Sequence, residues 1–388
     1  MPHFEKMLYD NALLAMAYLE AYQQSGRPYY RTVVRRTLDY VLAELTDPQG
    51  GFCCGQDADS EGVEGKYYVF TPEELVRHLG PEAELFCRRF GVTGRGNFEG
   101  KSIPNLIDTP DWETEPEDLR ALLARVRSYR QGRTRLHRDD KVLTAWNGLM
   151  IAALARAGLV LEEPCYLEAA QRAAAFIRRE LTGADGGLLA RWGLLELYGA
   201  TLRIECFEEA ERTARRLLED FFDEAGGGFY PYAKQGEQLI TRTKETYDGA
   251  MPSGNAAAAL VLSRLARLTG ETRWRTAAEL QFRYLAGAAQ DNPAGHSFTL
   301  LALLEELWPT AELVCTSREI PAELVAFLGK RSRPGLTVLV KTPENGARLA
   351  VLAPFTAEYP CPAAGARYYL CREGACAAPA ERLEDVRV

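Results

Sequence analysis

The same punctuation recurs three times in this chain. Thr46-Asp47-Pro48-Gln49-Gly50-Gly51-Phe52, Thr182-Gly183-Ala184-Asp185-Gly186-Gly187-Leu188 and Phe222-Asp223-Glu224-Ala225-Gly226-Gly227-Gly228-Phe229-Tyr230 each follow a stretch of helical periodicity. Each runs from an acid, through paired glycines, to an apolar or aromatic residue. Glycine accepts the left-handed backbone that ends a helix and reverses the chain. The large residue that follows can plug the end of a core. Helix pairs joined this way, recurring every few tens of residues, specify an α/α repeat array. Closed into a ring, the array is an α/α toroid; left open, it is a solenoid.

Apolar residues at spacings of three and four place helices at about 3–24, 29–46, 72–90, 117–130, 142–160, 164–181, 190–203, 205–222, 252–268, 272–288 and 297–307. The first of these begins on Pro2. It carries Phe4, Met7, Leu8, Leu14, Ala15 and Leu19 on an apolar stripe, with His3, Glu5, Tyr9, Asp10 and Asn11 as polar-cavity residue types. A segment this specific reads like the interior of a protein rather than a loose terminus. Either a site starts at the first residue, or something once preceded it.

From about 311 the texture changes. Residues 311–316, 336–341, 349–352 and 368–371 read as strands and 319–330 as a helix, punctuated by Pro309 and Pro321. The expected organisation is an α/α domain over 1–308 and a small α/β module over 309–388.

Composition excludes several classes. The net charge of −8 opposes binding driven by nucleic-acid phosphates. No apolar run is expected to reach the roughly 18 residues that span a bilayer, so no membrane partner is expected. No charged stretch with an apolar core opens the chain, which points away from secretion and toward the cytoplasm. Nine scattered cysteines suit free thiols in a reducing compartment. Adjacent Cys53-Cys54 is poor geometry for a bridge, and Cys371 and Cys376 have no second pair nearby for zinc. The four histidines form no ligand pair at helical spacing. Neither a metal nor a cofactor is expected.

Chemistry-bearing residues gather in four segments at helix ends, where a rigid scaffold positions a site. The first is His3 to Asn11. The second, Gln56-Asp57-Ala58-Asp59-Ser60-Glu61-Gly62-Val63-Glu64-Gly65-Lys66-Tyr67-Tyr68, resembles a calcium loop only superficially, because the glycine and closing glutamate are misplaced. It reads as a substrate-facing acidic loop or a solvated turn. The third, Arg138-Asp139-Asp140-Lys141-Val142-Leu143-Thr144-Ala145-Trp146-Asn147-Gly148, sets two aspartates ahead of a helix, as a cap or as a site. An aromatic face, an amide and acids together suit a sugar ring and its hydroxyls. The fourth is Lys244-Glu245-Thr246-Tyr247-Asp248-Gly249-Ala250-Met251-Pro252-Ser253-Gly254-Asn255, where Ser253 or Asn255 can cap the helix that follows. His296 reads as structural, and Trp192, Trp274 and Trp308 as packing.

These runs, together with Asn97-Phe98-Glu99-Gly100-Lys101 and the terminal Cys371/Cys376 pair, resemble the helical portion of the thioredoxin-domain proteins that include spermatogenesis-associated protein 20. The resemblance implies a mainly α fold, a six-hairpin α/α toroid similar to N-acylglucosamine 2-epimerases and related glycosidases, with a carbohydrate-linked role. The family carries a thioredoxin-like domain and a first hairpin ahead of the toroid, and an Asp-Asp-Tyr-Ala segment where this chain runs from Gly187 to Tyr198. Neither is expected in this chain, which leaves ring closure open, and no redox chemistry carries over.

The expected site is a carbohydrate cavity in which Asp140 and Asp248 act as acid and base, with Asp59 and Glu61 next and His3 serving if a proton is abstracted from carbon. Tyr247, Trp146 and Asn147 orient substrate, with Asp57, Asn255, Tyr9 and Asp10 beside them. The alternatives are a non-catalytic scaffold working with a separate thioredoxin-like protein, or a truncated copy without activity.

Overall fold

The computed structural model describes residues 3–114, 116–181, 187–235, 243–372 and 375–386, with side chains for all of these except 187–189. The reversal at 182–186 and the opening Met1-Pro2 lie outside the described residues.

In chain order the first elements are β1 (Lys6–Met7), α1 (Leu8–Ser25), α2 (Pro28–Tyr40), β2 (Gly55–Gln56), β3 (Asp59–Ser60), β4 (Val63–Glu64), α3 (Pro72–Leu79), α4 (Ala83–Arg89), α5 (Glu117–Arg133) and β5 (Arg138–Asp139). Then come α6 (Thr144–Leu161), α7 (Pro164–Glu180), α8 (Gly187–Thr201), α9 (Ile204–Phe221), α10 (Gly254–Thr269), α11 (Thr272–Asp291) and α12 (Ser297–Leu307). The chain ends with β6 (Ala311–Ser317), α13 (Ala322–Lys330), β7 (Leu336–Lys341), α14 (Gly346–Leu352), β8 (Ala366–Arg372) and β9 (Ala375–Cys376).

The chain divides into two compact units. Met1–Met7 and Cys53–Lys141 form the smaller, and Leu8–Phe52 and Val142–Val388 the larger. This division does not follow the sequence boundary at 308, because the helical array and the C-terminal module share one unit.

In the smaller unit, β2 pairs antiparallel with β1 and with β5, and β3 with β4. The expected helix from residue 3 therefore starts only at Leu8, because Lys6 and Met7 are held in the ladder. The single helix expected over 72–90 is broken at Gly80-Pro81, where Gly80 takes φ +64°. Thr71 and Glu74 form a reciprocal cap at the start of α3. Phe70, Leu75, Phe86, Leu119 and Leu122 make this unit's core. Arg133 ties the acidic loop to it, donating to the carbonyls of Val69, Lys66 and Tyr67 at 2.7–2.9 Å and to Glu74 at 2.7 Å.

The larger unit is a mainly α, α/α-toroid arrangement. Inner helices α1, α6, α8, α10 and α12 pack in that order, and α2, α7, α9 and α11 back them from outside. Alanine and glycine let the inner helices approach closely. A Cβ on Gly193 of α8 would lie 2.5 Å from the Gly148 carbonyl of α6. Among the described residues, α1 and α12 do not pack on each other as successive inner helices do, and Leu301, Leu304 and Trp308 of that end stay exposed. Trp308 is thus not the packing residue its spacing suggested. By length and composition α6 could cross a membrane, contrary to the expectation that no run is long enough, but most of it is buried as the innermost helix of this unit.

The C-terminal module is a sheet of order β7-β6-β8-β9, with β6 and β7 parallel across α13 and the other pairs antiparallel. It seals the C-terminal ends of the inner helices. Tyr198 of α8 donates to the Val338 carbonyl at 3.0 Å, and Gln23 of α1 to the Gly329 carbonyl at 3.1 Å. The strand expected over 349–352 is the helix α14. Thr342 and Asn345 exchange hydrogen bonds of 2.8 and 3.2 Å just before it, and Leu349 is buried in the core while Val351 is exposed. A short apolar run cannot be assigned by periodicity alone. Cys371 and Cys376 are joined by a disulfide across β8 and β9, against the expectation of free thiols throughout; the other seven cysteines form no disulfide.

Candidate functional site

The inner helices of the larger unit run parallel, and their side-chain pairs show it. Glu20 of α1 meets Arg156 of α6 at 2.7 Å, each well along its helix. Arg264 of α10 meets Glu196 of α8 at 2.7 Å and Glu305 of α12 at 2.8 Å in the same sense. Their N-termini therefore share one end, toward which the helix dipoles point their positive poles. Tyr9 and Trp146, in the first turns of α1 and α6, meet edge to face there at 4.7 Å and 74°. Both are half-buried, and Asp10 beside them is exposed. Tyr247 stands just ahead of α10, exposed, edge to face with His296 at 6.3 Å.

Several expected site residues at this mouth are occupied structurally. The buried Asn147 amide accepts the Phe52 N–H at 2.8 Å and donates to the Phe52 carbonyl at 2.9 Å. The Asn255 amide does the same to Phe229, at 2.7 and 3.1 Å, and also donates to the Glu245 carbonyl at 2.8 Å. Each asparagine sits at the start of an inner helix and clasps the residue that follows a glycine reversal. Ser253 caps α10 by accepting from Ala256 at 3.1 Å. His296 is buried between the Asn292 carbonyl at 2.8 Å and the Thr246 hydroxyl at 3.1 Å.

Asp248 is 7 % exposed. Its Oδ1 accepts from the Ser253 N–H at 2.7 Å, and its Oδ2 from the N–H groups of Phe298 and Thr299 at 2.8 and 3.2 Å. Three backbone donors consume a carboxylate that acid/base work would need free. Asp248 pins the loop before α10 to the first turn of α12, and in this geometry it is a cap rather than the acid or base its position suggested.

Five candidates belong to the smaller unit. Asp140 and Asp59 are exposed and accept no side-chain hydrogen bond among the described residues. Neither Asp139 nor Asp140 caps α6, whose first turn lacks a side-chain cap. Asp57 meets the ring of His137 at 2.9 Å. Glu61 pairs with Lys66 and accepts from Thr134 at 3.2 Å, and its hydrogen bond and charge contact with Lys66 hold its carboxyl below the usual range. His3 is exposed. Lys6 was given no role in the sequence reading. Burial, reinforced by Arg130, lowers its amine to about 8, and its Nζ donates to the carbonyls of His3 and Phe4. Among the described residues no group of three or more His, Cys, Asp or Glu could hold a metal, the acidic loop included.

The sequence reading also missed a cavity of about 750 Å³ at the opposite, C-terminal end of the inner helices, lined by α1, α6, α8, α10, α12 and residues 328–338. Arg264 and Arg267 there share Glu305, and Arg264 also holds Glu196. Its one sequence signal was arginine and glutamate set into otherwise apolar helices.

No family model matches the chain. Human spermatogenesis-associated protein 20 is 32% identical over 338 aligned residues, which cover 70% of this chain and 43% of that protein. The chain belongs to the spermatogenesis-associated protein 20 family. An uncharacterized Caenorhabditis elegans protein is 25% identical across 99% of this chain and 61% of its own length. The chain thus spans less than half the length of the human member of the spermatogenesis-associated protein 20 family. Among solved structures, the Clostridium thermocellum endoglucanase CelQ, complexed with cellotetraose, aligns over 72% of this chain and 37% of its own at 16% identity and a TM-score of 0.37.

Proposed function

We propose that the N-terminal mouth of the inner helices binds a carbohydrate. The Tyr9–Trp146 pair carries the reading: two half-buried rings meeting edge to face, with the Asp10 carboxylate alongside. A sugar offers an apolar ring face for stacking and hydroxyls for an acid or amide to bind. Parallel helix N-termini favour the acceptor oxygens of such a ligand.

In its enzymatic form, hydrolysis or epimerisation, this reading needs carboxylates with free oxygens. Of the acid/base candidates, Asp248 is committed to backbone donors, while Asp140 and Asp59, in the smaller unit, are exposed. That same commitment favours a second reading, a binding scaffold without turnover. Titrating the protein with a panel of mono- and oligosaccharides, followed by tryptophan fluorescence and calorimetry, separates the readings. Binding with product formation supports the enzyme, binding alone the scaffold, and a folded protein that binds none of the panel overturns both.

A further inference from the structure

A second cavity, of about 300 Å³, opens between α7 and α9 against the side of α8, and shares no lining residue with the mouth. Arg178 of α7, Arg191 of α8 and Arg216 of α9 line it without a hydrogen bond or ion pair among the described residues. The Nε of Arg191 is cut off from solvent and has no partner. Burial lowers the Arg191 guanidinium to about 10; Glu209 opposes the shift, and Arg216 and Arg212 add to it.

The remaining arginines on the wall are already paired, Arg212 with Glu209 at 2.6 Å and Arg203 with Glu205 at 3.6 Å. Asp220 is the only other carboxylate in the lining among the described residues, so among these arginines outnumber acids by two. That excess stands out in a chain of net charge −8. An unpaired, desolvated guanidinium is costly, and a bound anion relieves the cost. Gln171 and Thr213 aside, the rest of the wall is largely apolar, formed by side chains such as Ile151, Leu194, Leu217 and Phe221.

We propose that this cavity binds a phosphate monoester with an apolar or ring-shaped body, its phosphate held by Arg178, Arg191 and Arg216. A phosphate monoester is close to a dianion at neutral pH, which matches the two excess positive charges. The planar guanidinium donates two parallel hydrogen bonds to phosphate oxygens. The neighbouring apolar wall covers the organic part.

Calorimetry on the full chain at low salt tests this with phenyl phosphate, inorganic phosphate and phenol. Phenyl phosphate is expected to bind at least tenfold more tightly than either of the other two. Arg178 and Arg216 are exposed, so R178Q and R216Q keep the fold, as circular dichroism checks, and each is expected to weaken phenyl phosphate at least fivefold. R191Q is expected to abolish binding without lowering the unfolding temperature of the ligand-free protein. Equal binding of phenol, no binding of phenyl phosphate at millimolar concentration, or undiminished binding by R178Q/R216Q overturns the proposal.

Discussion

Asn147 binds both polar groups of the Phe52 backbone, as a neighbouring strand would, across 95 residues of sequence. Asn255 repeats the arrangement on Phe229. Both pairs are buried, so truncation strands a donor and an acceptor out of reach of water. N147A and N255A are each expected to destabilise the protein by about 2–4 kcal/mol. Urea unfolding midpoints measure this, and a loss below about 1 kcal/mol would show that the clasps are replaceable.

Asp248 and Asp140 should part company when mutated. D248A removes the acceptor of three backbone N–H groups and is expected to cost about 2–4 kcal/mol of stability. D140N touches an exposed side chain and should leave the melting temperature within a degree or two while abolishing any turnover. Thermal melts paired with product assays read both effects. A D248A protein as stable as the parent would return Asp248 to the list of free carboxylates.

Acid should loosen the C-terminal cavity. Burial alone would raise the carboxyl of Glu305, but Arg264 and Arg267 outweigh it and hold the group at about 2. Its ordinary value is 4.5, so the unfolded chain takes up this proton first. The stabilisation is complete above pH 4.5 and is lost as pH falls toward about 2, at most about 3 kcal/mol from this group. E305Q removes that part of the slope. Stability of the parent and variant measured from pH 6 to pH 2.5 decides it, and parallel curves would contradict the assignment.

Trp146 is half-buried at the mouth, and its loss removes one wall of the Tyr9 pair. W146A is expected to weaken a sugar ligand about tenfold, equivalent to about 1.4 kcal/mol. Calorimetric titration measures it. Unchanged affinity would move the ligand away from this pair.

Much of the helical array was legible because each amphipathic helix carries its own apolar stripe and each reversal its glycines. The structure's α6, α7, α9 and α12 begin and end within a residue or two of where periodicity put them. Periodicity failed where a local rule overrode it: strand pairing at Lys6–Met7, Gly80-Pro81 inside a helical stretch, and the reciprocal Thr342–Asn345 hydrogen bonds just ahead of the helix at 346–352. Site residues were harder. Residue type marked Asn147, Asp248 and Asn255 as notable, but each also has a partner 26 to 95 residues away. Only the folded backbone shows that those polar atoms are already spent.

The Asn147–Phe52 clasp also fixes where the intervening chain departs and returns. Cys53–Lys141 leaves immediately after Phe52 and re-enters just ahead of α6, so both ends of that long excursion are anchored in the larger unit. The cost of closing so long an excursion grows only slowly with its length, and the clasp fixes the two ends it must bring together. A short glycine-rich bridge between residues 52 and 142 should therefore leave the Asn147–Phe52 clasp and the start of α6 in place.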